Sequence, residues 1–486
     1  MHIVDWLTTA VYLFLVTALG VYFSRSNTNF KAYMFGNNSV PWVAVGISLI
    51  ATSVSATTFL GNPADAYKNN MTYMMCNIGG LLSLLVISFI FIPKFRQANI
   101  SSAYQLLEDK FSRPVRLLAS ILYCFHLLMR TGILLFGPSL VLSKMLNVNI
   151  VFAICLLSLL AILYTWFGGI RAVIWTDVMQ FIVLFGGGMI VLYLISDSLG
   201  GFSELFKSAQ EAGKTQWLDF TMDPSNARTF LSAGLVYTFF EVAIRGCDQQ
   251  FVQRYLSTKD TKSAIYSSIL SVVLGAMVAL LFYFIGAGLF SFYQVSEIAG
   301  LPSKLSVNEI FPHYILNELP IGLTGLLMAA ILAAAMSSLD SAMTALSNTI
   351  VIDILHSNKT HNDKLILKSA KKWVVIIGLV GTGAAIVAST FDTSLLTMAL
   401  SVTGLFTGPL LALFILAFYF PHHHPKAVLI SAILGMLTLA YFTPPKFLQG
   451  IWTPFQSFSW PWFPLIAFIS TLIYSMTLHL FYKKNS

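Results

Sequence analysis

Polar residues in this chain fall in short clusters between long apolar runs. Taking runs of 17 or more mainly apolar residues as long enough to cross hydrocarbon, the pattern predicts thirteen helices, near 5–23, 42–61, 71–93, 115–143, 150–167, 173–197, 228–246, 262–293, 318–352, 370–391, 394–420, 427–443 and 461–482. Several exceed 25 residues, so they must tilt or project beyond the bilayer. The expected fold class is an all-α polytopic membrane protein in one transmembrane domain, because neither of the two largest loops, 198–227 and 294–317, is long enough for a domain of its own. The first run has Asp5 where a signal peptide would be basic, and it lacks a small-residue cleavage site, so it reads as a retained helix.

Composition agrees. Of 486 residues, 57% are hydrophobic and 10% charged, with a mean hydropathy of +0.77; soluble domains carry about 25% charged residues. With thirteen spans the termini lie on opposite sides, and Lys and Arg can be counted in the two alternating sets of loops. One set (24–41, 94–116, 171, 245–262, 353–372, 421–426 and 483–486) holds 20 of them and the other holds 7. The bias predicts an outside N-terminus and a cytoplasmic C-terminus. It also accounts for the net charge of +8 without a nucleic-acid partner. The four cysteines have neither paired nor metal-ligand spacing. Three adjacent histidines in "PHHHPK" (421–426) cannot converge on one ion and are expected to form a solvated loop.

Ionisable groups inside spans are expensive, so each one is a functional candidate. Four stand out: Arg130, Asp177, Glu241 and Asp340. Asp340 lies in "ILAAAMSSLDSAMTALSNTI" (331–350), where helical spacing gathers Ala334, Ser337, Ser338, Asp340, Ser341, Thr344 and Ser347 into a polar stripe. Serines that bond back to the previous turn and small residues that permit close packing explain part of it. They do not explain the carboxylate. Clustered hydroxyl and carboxylate oxygens suit a hard cation such as Na⁺.

One helix cannot surround an ion. The second wall is expected in "SLIATSVSATTFLGNP" (48–63), where Ser53, Ser55, Thr57 and Thr58 alternate with small and β-branched residues. Hydroxyls that compete for backbone groups make a helix break plausible there. A broken span exposes carbonyls to ions and half-helix ends to solutes at mid-membrane. Arg130 has two readings, an ion pair with Glu241 or a bidentate grip on a solute carboxylate. Asp177, near the start of its helix, reads on its own as a cap.

Four stretches together resemble the sodium:solute symporter family: "ATSVSATTFLGNPADAY" (51–67), "YTWFGGIRAVIWTDVMQ" (164–180), "DQQFVQRYLSTKD" (248–260) and "AAAMSSLDSAMTALSNTIVIDI" (333–354). The resemblance spans essentially the whole chain. It implies a LeuT-type fold with two inverted five-helix repeats, 42–197 and 228–420, flanked by an additional helix at 5–23 and further helices at 427–482. It also implies Na⁺ as coupling ion. The common Na⁺ site would use backbone oxygens of Ala51, Val54 and Ala334 and the hydroxyls of Ser337 and Ser338. A second ion site, found in some branches, would use Asp177, Ser337, Asp340 and Ser341. Asp340 departs from the sialic acid branch, which has serine there, so one Na⁺, two Na⁺, or Na⁺ plus H⁺ per cycle are all open. In that branch an arginine at the position of Arg130 grips a substrate carboxylate. Ser53, Ser55 and Thr58 match its hydroxyl positions, and Asn77 stands where it has glutamine. Glu241 is unexpected.

The function that follows is Na⁺-driven import of a small carboxylated solute by alternating access, in the cytoplasmic membrane of a bacterium. Sialic acid is the first candidate, and a sugar bound through Glu241 or another monocarboxylate is the alternative. A channel lacks a repeated pore-lining set. An intramembrane enzyme lacks a His-Glu-x-x-His or Gly-x-Ser-x-Gly motif. A transporter-like sensor has no output domain here, and nothing in the sequence calls for an obligate protein partner.

Overall fold

The computed structural model describes residues 2–24, 29–98, 100–146, 148–295, 305–355, 363–390, 395–442 and 458–484, and all regular structure among them is helical. Fourteen main helices carry the fold. They are α1 (Ile3–Ser24), α2 (Trp42–Ser53), α3 (Ala56–Lys68), α4 (Thr72–Ala98), α5 (Arg113–Leu146), α6 (Ile150–Ser198), α7 (Phe230–Cys247), α8 (Gln249–Ser257), α9 (Thr261–Val295), α10 (Leu323–Leu355), α11 (Asp363–Ala388), α12 (Leu395–Tyr419), α13 (Pro425–Phe442) and α14 (Trp462–Lys484). Ten helical stretches among the described residues are long and apolar enough to cross a membrane, and the bent pair Phe30–Asn38 and Trp42–Ser53 makes an eleventh. Ile150–Leu163 and Phe406–Tyr419 are shorter apolar helices. The protein is a multi-pass membrane protein.

Among the described residues each predicted apolar run is largely helical, but three places differ from a row of simple rods. The run 42–61 divides into α2 and α3 at Val54 and Ser55, which are extended (ψ 100° and 171°). The runs 150–167 and 173–197 are one helix, α6, bent at Gly169, whose φ of 60° is left-handed and suits glycine. Beyond α7 the chain does not enter a loop. Asp248 is extended, its side chain accepts the Gln250 backbone N–H at 2.8 Å as an N-cap, and α8 follows.

Helix α10 is the centre, with 94% of its most apolar window buried inside the protein. The predicted polar stripe is therefore only half the story, because the apolar face of α10 also packs on protein. It lies chiefly against α6, α5 and α1. Helix α1 is docked by Asp5, whose Oδ1 accepts the backbone N–H of Gly322 (2.7 Å) and of Gly325 (3.2 Å). Helices α13 and α14 pair at the edge.

Two sequence expectations are corrected. Arg116, Arg245 and Arg254, counted above among loop charges, are buried in ion pairs: Arg116 with Glu108 and Asp353, Arg245 with Glu241, and Arg254 with Asp177. Removing them leaves the charge bias between loops intact. The histidine loop is not simply solvated: the His423 ring stacks on His479 at 4.3 Å, and His424 stacks on Tyr482 at 4.7 Å, joining the turn to α14.

Candidate functional site

The break between α2 and α3 faces the middle of α10. The Ser337 hydroxyl donates to the Ala51 carbonyl (3.1 Å) and the Ala334 carbonyl (3.2 Å), and the Ser338 hydroxyl donates to Ala334 (3.3 Å). Four of the five oxygens expected at the common ion site are thus gathered. Val54, the fifth residue, sits at the break itself, with its N–H bonded to Ile50 and its side chain buried. A helix whose next residues are extended has carbonyls with no partner four residues on. Serine hydroxyls fill that role here, and their oxygens can turn to a cation when one arrives.

The second expected ion position is occupied differently from the sequence reading. Asp177 is fully buried, eight residues past the Gly169 bend, and it is not a cap. Its Oδ2 accepts from Ser48 Oγ (2.5 Å) and from Arg254 Nη2 (3.0 Å). Arg254 also donates from Nη2 to Ser341 Oγ (2.5 Å) and from Nε to Ser48 Oγ (2.7 Å). One guanidinium therefore ties α8 to α2, α6 and α10. Ser341 in turn donates to the Ser337 carbonyl (2.7 Å) and lies 3.2 Å from Asp340 Oδ1. Asp177, Ser337, Asp340 and Ser341 do converge, but with Arg254 among them, and the Ser337 hydroxyl is turned to the first site.

Beside the break lies a cavity of about 330 Å³. All six residues expected to bind solute, Ser53, Ser55, Thr58, Asn77, Arg130 and Glu241, line it. Their states differ. Ser53 Oγ bonds back to the Leu49 carbonyl (3.1 Å), and Asn77 Nδ2 bonds to the Met74 carbonyl (2.9 Å). Glu241 is not the partner of Arg130. It accepts from Arg245 Nε (2.5 Å) and from the Tyr237 hydroxyl (2.8 Å), both on its own helix. Arg130 forms no ion pair among the described residues and lines the cavity wall.

Asp65 and Tyr73 also line the cavity, and Arg228 pairs with Asp65 while lying 4.3 Å from the centre of the Tyr73 ring. Lys214, in the loop after α6, donates to the carbonyls of Tyr67 (2.7 Å) and Asn69 (3.0 Å), where a cation suits the C-terminal end of α3. Burial pushes its amine below the ordinary lysine value.

Sequence reasoning missed Arg254, Arg245, Tyr237, Ser48 and Asp248. Two signals were present. Glu241 and Arg245 are four apart on one helix face, and Asp248 with the amphipathic pattern of 249–257 reads as a capped helix rather than a loop.

The sequence model of the sodium:solute symporter family matches residues 33–435. The sodium/sialic acid symporter SiaT of Proteus mirabilis is 32% identical over 436 residues, covering 88% of this chain and 87% of that one. The sodium-coupled monocarboxylate transporter 2 of mouse is 28% identical, over 90% of this chain and 71% of that one. Among solved structures, the substrate-bound outward-open state of a Na⁺-coupled sialic acid symporter superposes with a TM-score of 0.88 at 28% identity, over 98% of both chains. The nucleobase-cation-symport-1 transporter Mhp1 superposes at 0.59 and 15% identity over 92% of each, which carries the likeness of fold alone. With its broken helix facing serines on α10 and a family model that runs through nearly all its spans, the chain belongs to the sodium:solute symporter family.

Proposed function

We propose that this protein imports a carboxylated solute, sialic acid first among candidates, by Na⁺-coupled symport in the cytoplasmic membrane of a bacterium. The observation that carries the reading is the pairing of two sites on one broken helix. The Ala51 carbonyl meets the Ser337 hydroxyl on one side of the break, and Ser53, Ser55 and Thr58 line a cavity that Arg130 also lines on the other.

Na⁺ held by the carbonyls of Ala51, Val54 and Ala334 and the hydroxyls of Ser337 and Ser338 fixes the end of α2 relative to α10. That fixes the first residues of α3, which form the solute pocket. The solute carboxylate meets Arg130 in a charge-assisted bidentate contact, and its hydroxyls meet Ser53, Ser55, Thr58 and Asn77. Glu241 acts with Arg245 as a neutral pair at the wall rather than as a lone charge. Asp177, Ser337, Asp340 and Ser341, with Arg254 between them, form the second cation position.

The organisation is two inverted repeats, 42–197 and 228–420, with 5–23 and 427–482 outside them. The breaks at Val54 and Asp248, each in the first helix of a repeat, support that division. The loop charge bias supports an outside N-terminus and a cytoplasmic C-terminus. The chemistry asked of the chain is binding and movement, not bond making, and it acts as a transporter rather than an enzyme.

The test is uptake in proteoliposomes of sialic acid, with lactate as a second arm, driven by Na⁺ against K⁺. Uptake of sialic acid only with Na⁺ is expected, and uptake indifferent to Na⁺ would sink the reading. Arg130→Gln removes a bidentate contact worth about 2–4 kcal/mol, so solute affinity should fall roughly 30- to 1,000-fold. Ser338→Ala should instead raise the Na⁺ concentration needed for half-maximal uptake.

A further inference from the structure

The two helix breaks, at Val54 between α2 and α3 and at Asp248 between α7 and α8, are satisfied in different ways. At the first, the Ser337 hydroxyl on α10 serves the Ala51 carbonyl, and its oxygen can turn to a cation. At the second, three consecutive residues are held by groups from the segment 103–123. The Tyr104 hydroxyl donates to the Cys247 carbonyl (2.9 Å), the Tyr123 hydroxyl donates to Asp248 Oδ1 (2.7 Å), and the Ala103 N–H donates to Gln249 Oε1 (2.9 Å). None of these six residues is more than 4% exposed. The two phenol rings pack on each other, with centroids 5.3 Å apart.

A helix that ends inside a membrane leaves backbone groups that must find partners within the protein. Here phenols and a backbone N–H supply them without an ion. Asp248 forms no ion pair among the described residues, and its carboxylate is held by the Tyr123 hydroxyl and by Gln250. The donors are mounted on other helices than the ones they hold. Tyr123 belongs to α5. Ser102 Oγ donates to Asp353 Oδ2 on α10 (2.6 Å), and Arg116 Nε on α5 donates to Asp353 Oδ1 (2.8 Å), which fixes the turn at 102–104 to both helices. Ile244, one turn before Asp248, and Phe251, three residues after it, line the cavity, as does Arg130, two turns beyond Tyr123 on α5. The three bonds therefore lie behind the cavity wall, on the side of the basic loops 94–116 and 353–372.

We propose that Tyr104, Tyr123 and the Ala103 N–H form a latch that holds the α7–α8 joint against α5 and α10, closes the cavity toward the loops 94–116 and 353–372, and must part for the solute to leave on that side. It rests on the reading of the chain as a symporter, and on the loop charge bias for calling that side cytoplasmic. The three acceptors are consecutive and the donors share one mount, so the latch opens as a unit. Both tyrosines are positioning residues. Neither lines the cavity, and they act through Ile244 and Phe251, which do. The first break then answers to Na⁺, and the second sets how readily the cavity opens inward.

Cys247, at the joint and 1% exposed, reports on the latch. The chain has four cysteines, so replacing Cys76, Cys124 and Cys155 by serine leaves it the sole thiol. The experiment measures its rate of modification by a charged, membrane-impermeant methanethiosulfonate in inside-out and right-side-out membrane vesicles, with Na⁺ and without solute. That rate follows the open population when opening and closing are fast. From the cytoplasmic face, Tyr123→Phe should raise it about 10- to 100-fold, because its bond is to a carboxylate, and Tyr104→Phe roughly 2- to 10-fold. From the outer face neither should change it. Phenylalanine keeps the ring, and a single cooperative melt confirms that each variant is folded. Unchanged rates in both variants, or an equal rise from both faces, overturn the latch. A rise confined to the outer face would keep the latch and overturn the assigned orientation. Sialic acid uptake that ignores Na⁺, beside a rise from the cytoplasmic face, would overturn the symport reading and leave the latch standing.

Discussion

At the scale of single residues, the pair Glu241 and Arg245 decides how the cavity wall is charged. Their side chains are 15% and 7% exposed, and the contact is 2.5 Å, so each has given up water for the other. Removing one partner of such a pair leaves an uncompensated buried charge, at a cost of about 3–5 kcal/mol, whereas replacing both with apolar groups of similar volume is often neutral. Glu241→Ala should therefore lower the thermal midpoint substantially, and Glu241→Leu with Arg245→Met should recover most of the loss. Equal loss in both variants would mean that the pair does not act as a unit. Residues of this kind were half legible. Ala51, Ser337 and Ser338 could be placed together because two hydroxyl-rich stretches, 48–63 and 331–350, suggested two facing walls and the family resemblance implied which of their residues share an ion. Arg245 was signalled by its spacing from Glu241 and overlooked; Arg254 was harder, because the chain turns polar where α7 ends, and a buried polar helix looks like a loop to a hydropathy argument.

At the scale of elements, the apolar runs were legible as helices because a segment in hydrocarbon must satisfy its backbone internally, whereas their division into spans was not, and ten or eleven stretches among the described residues are long and apolar enough to cross. The break at Val54 was signalled by its hydroxyls. The break at Asp248 was not, since it joins an apolar helix to a charged one. The contact between α9 and α3 was invisible in sequence and depends on Gly286. A Cβ built there would stand 2.7 Å from Ala66 Cβ and 2.8 Å from Pro63 Cα. Because backbone rather than a flexible side chain blocks it, Gly286→Ala must push α3 away, and overpacking of this kind costs about 1–3 kcal/mol. Since α3 carries Thr58 and the solute pocket, solute affinity should fall with stability. Gly383→Ala, on α11 with open space around it, should be neutral or slightly stabilising, because alanine favours a helix over glycine by about 1 kcal/mol. Similar behaviour of the two variants in melting and uptake would show that the α9–α3 contact is not tight.

At the scale of the whole molecule, neither the repeats nor the ion count could be read from the chain, because both depend on which buried groups face each other across helices far apart in sequence. Charge movement makes the ion count measurable. A solute with one carboxylate carries one negative charge, so a cycle with a single Na⁺ is electrically neutral, and a cycle with two moves one positive charge inward. A tenfold Na⁺ gradient contributes about 1.4 kcal/mol per ion, and 100 mV adds about 2.3 kcal/mol per net charge. With one Na⁺ the total supports roughly tenfold accumulation of solute; with two it reaches about 5 kcal/mol, or several thousandfold. If a second cation, held among Asp177, Ser337, Asp340 and Ser341, travels with the solute, a negative-inside potential, set by valinomycin and a K⁺ gradient, should accelerate sialic acid uptake by the parent. Ser341→Ala should make uptake indifferent to that potential while leaving it dependent on Na⁺. A parent that ignores the potential would mean that the second cation, if bound, stays in place through the cycle and helps hold the fold rather than drive transport.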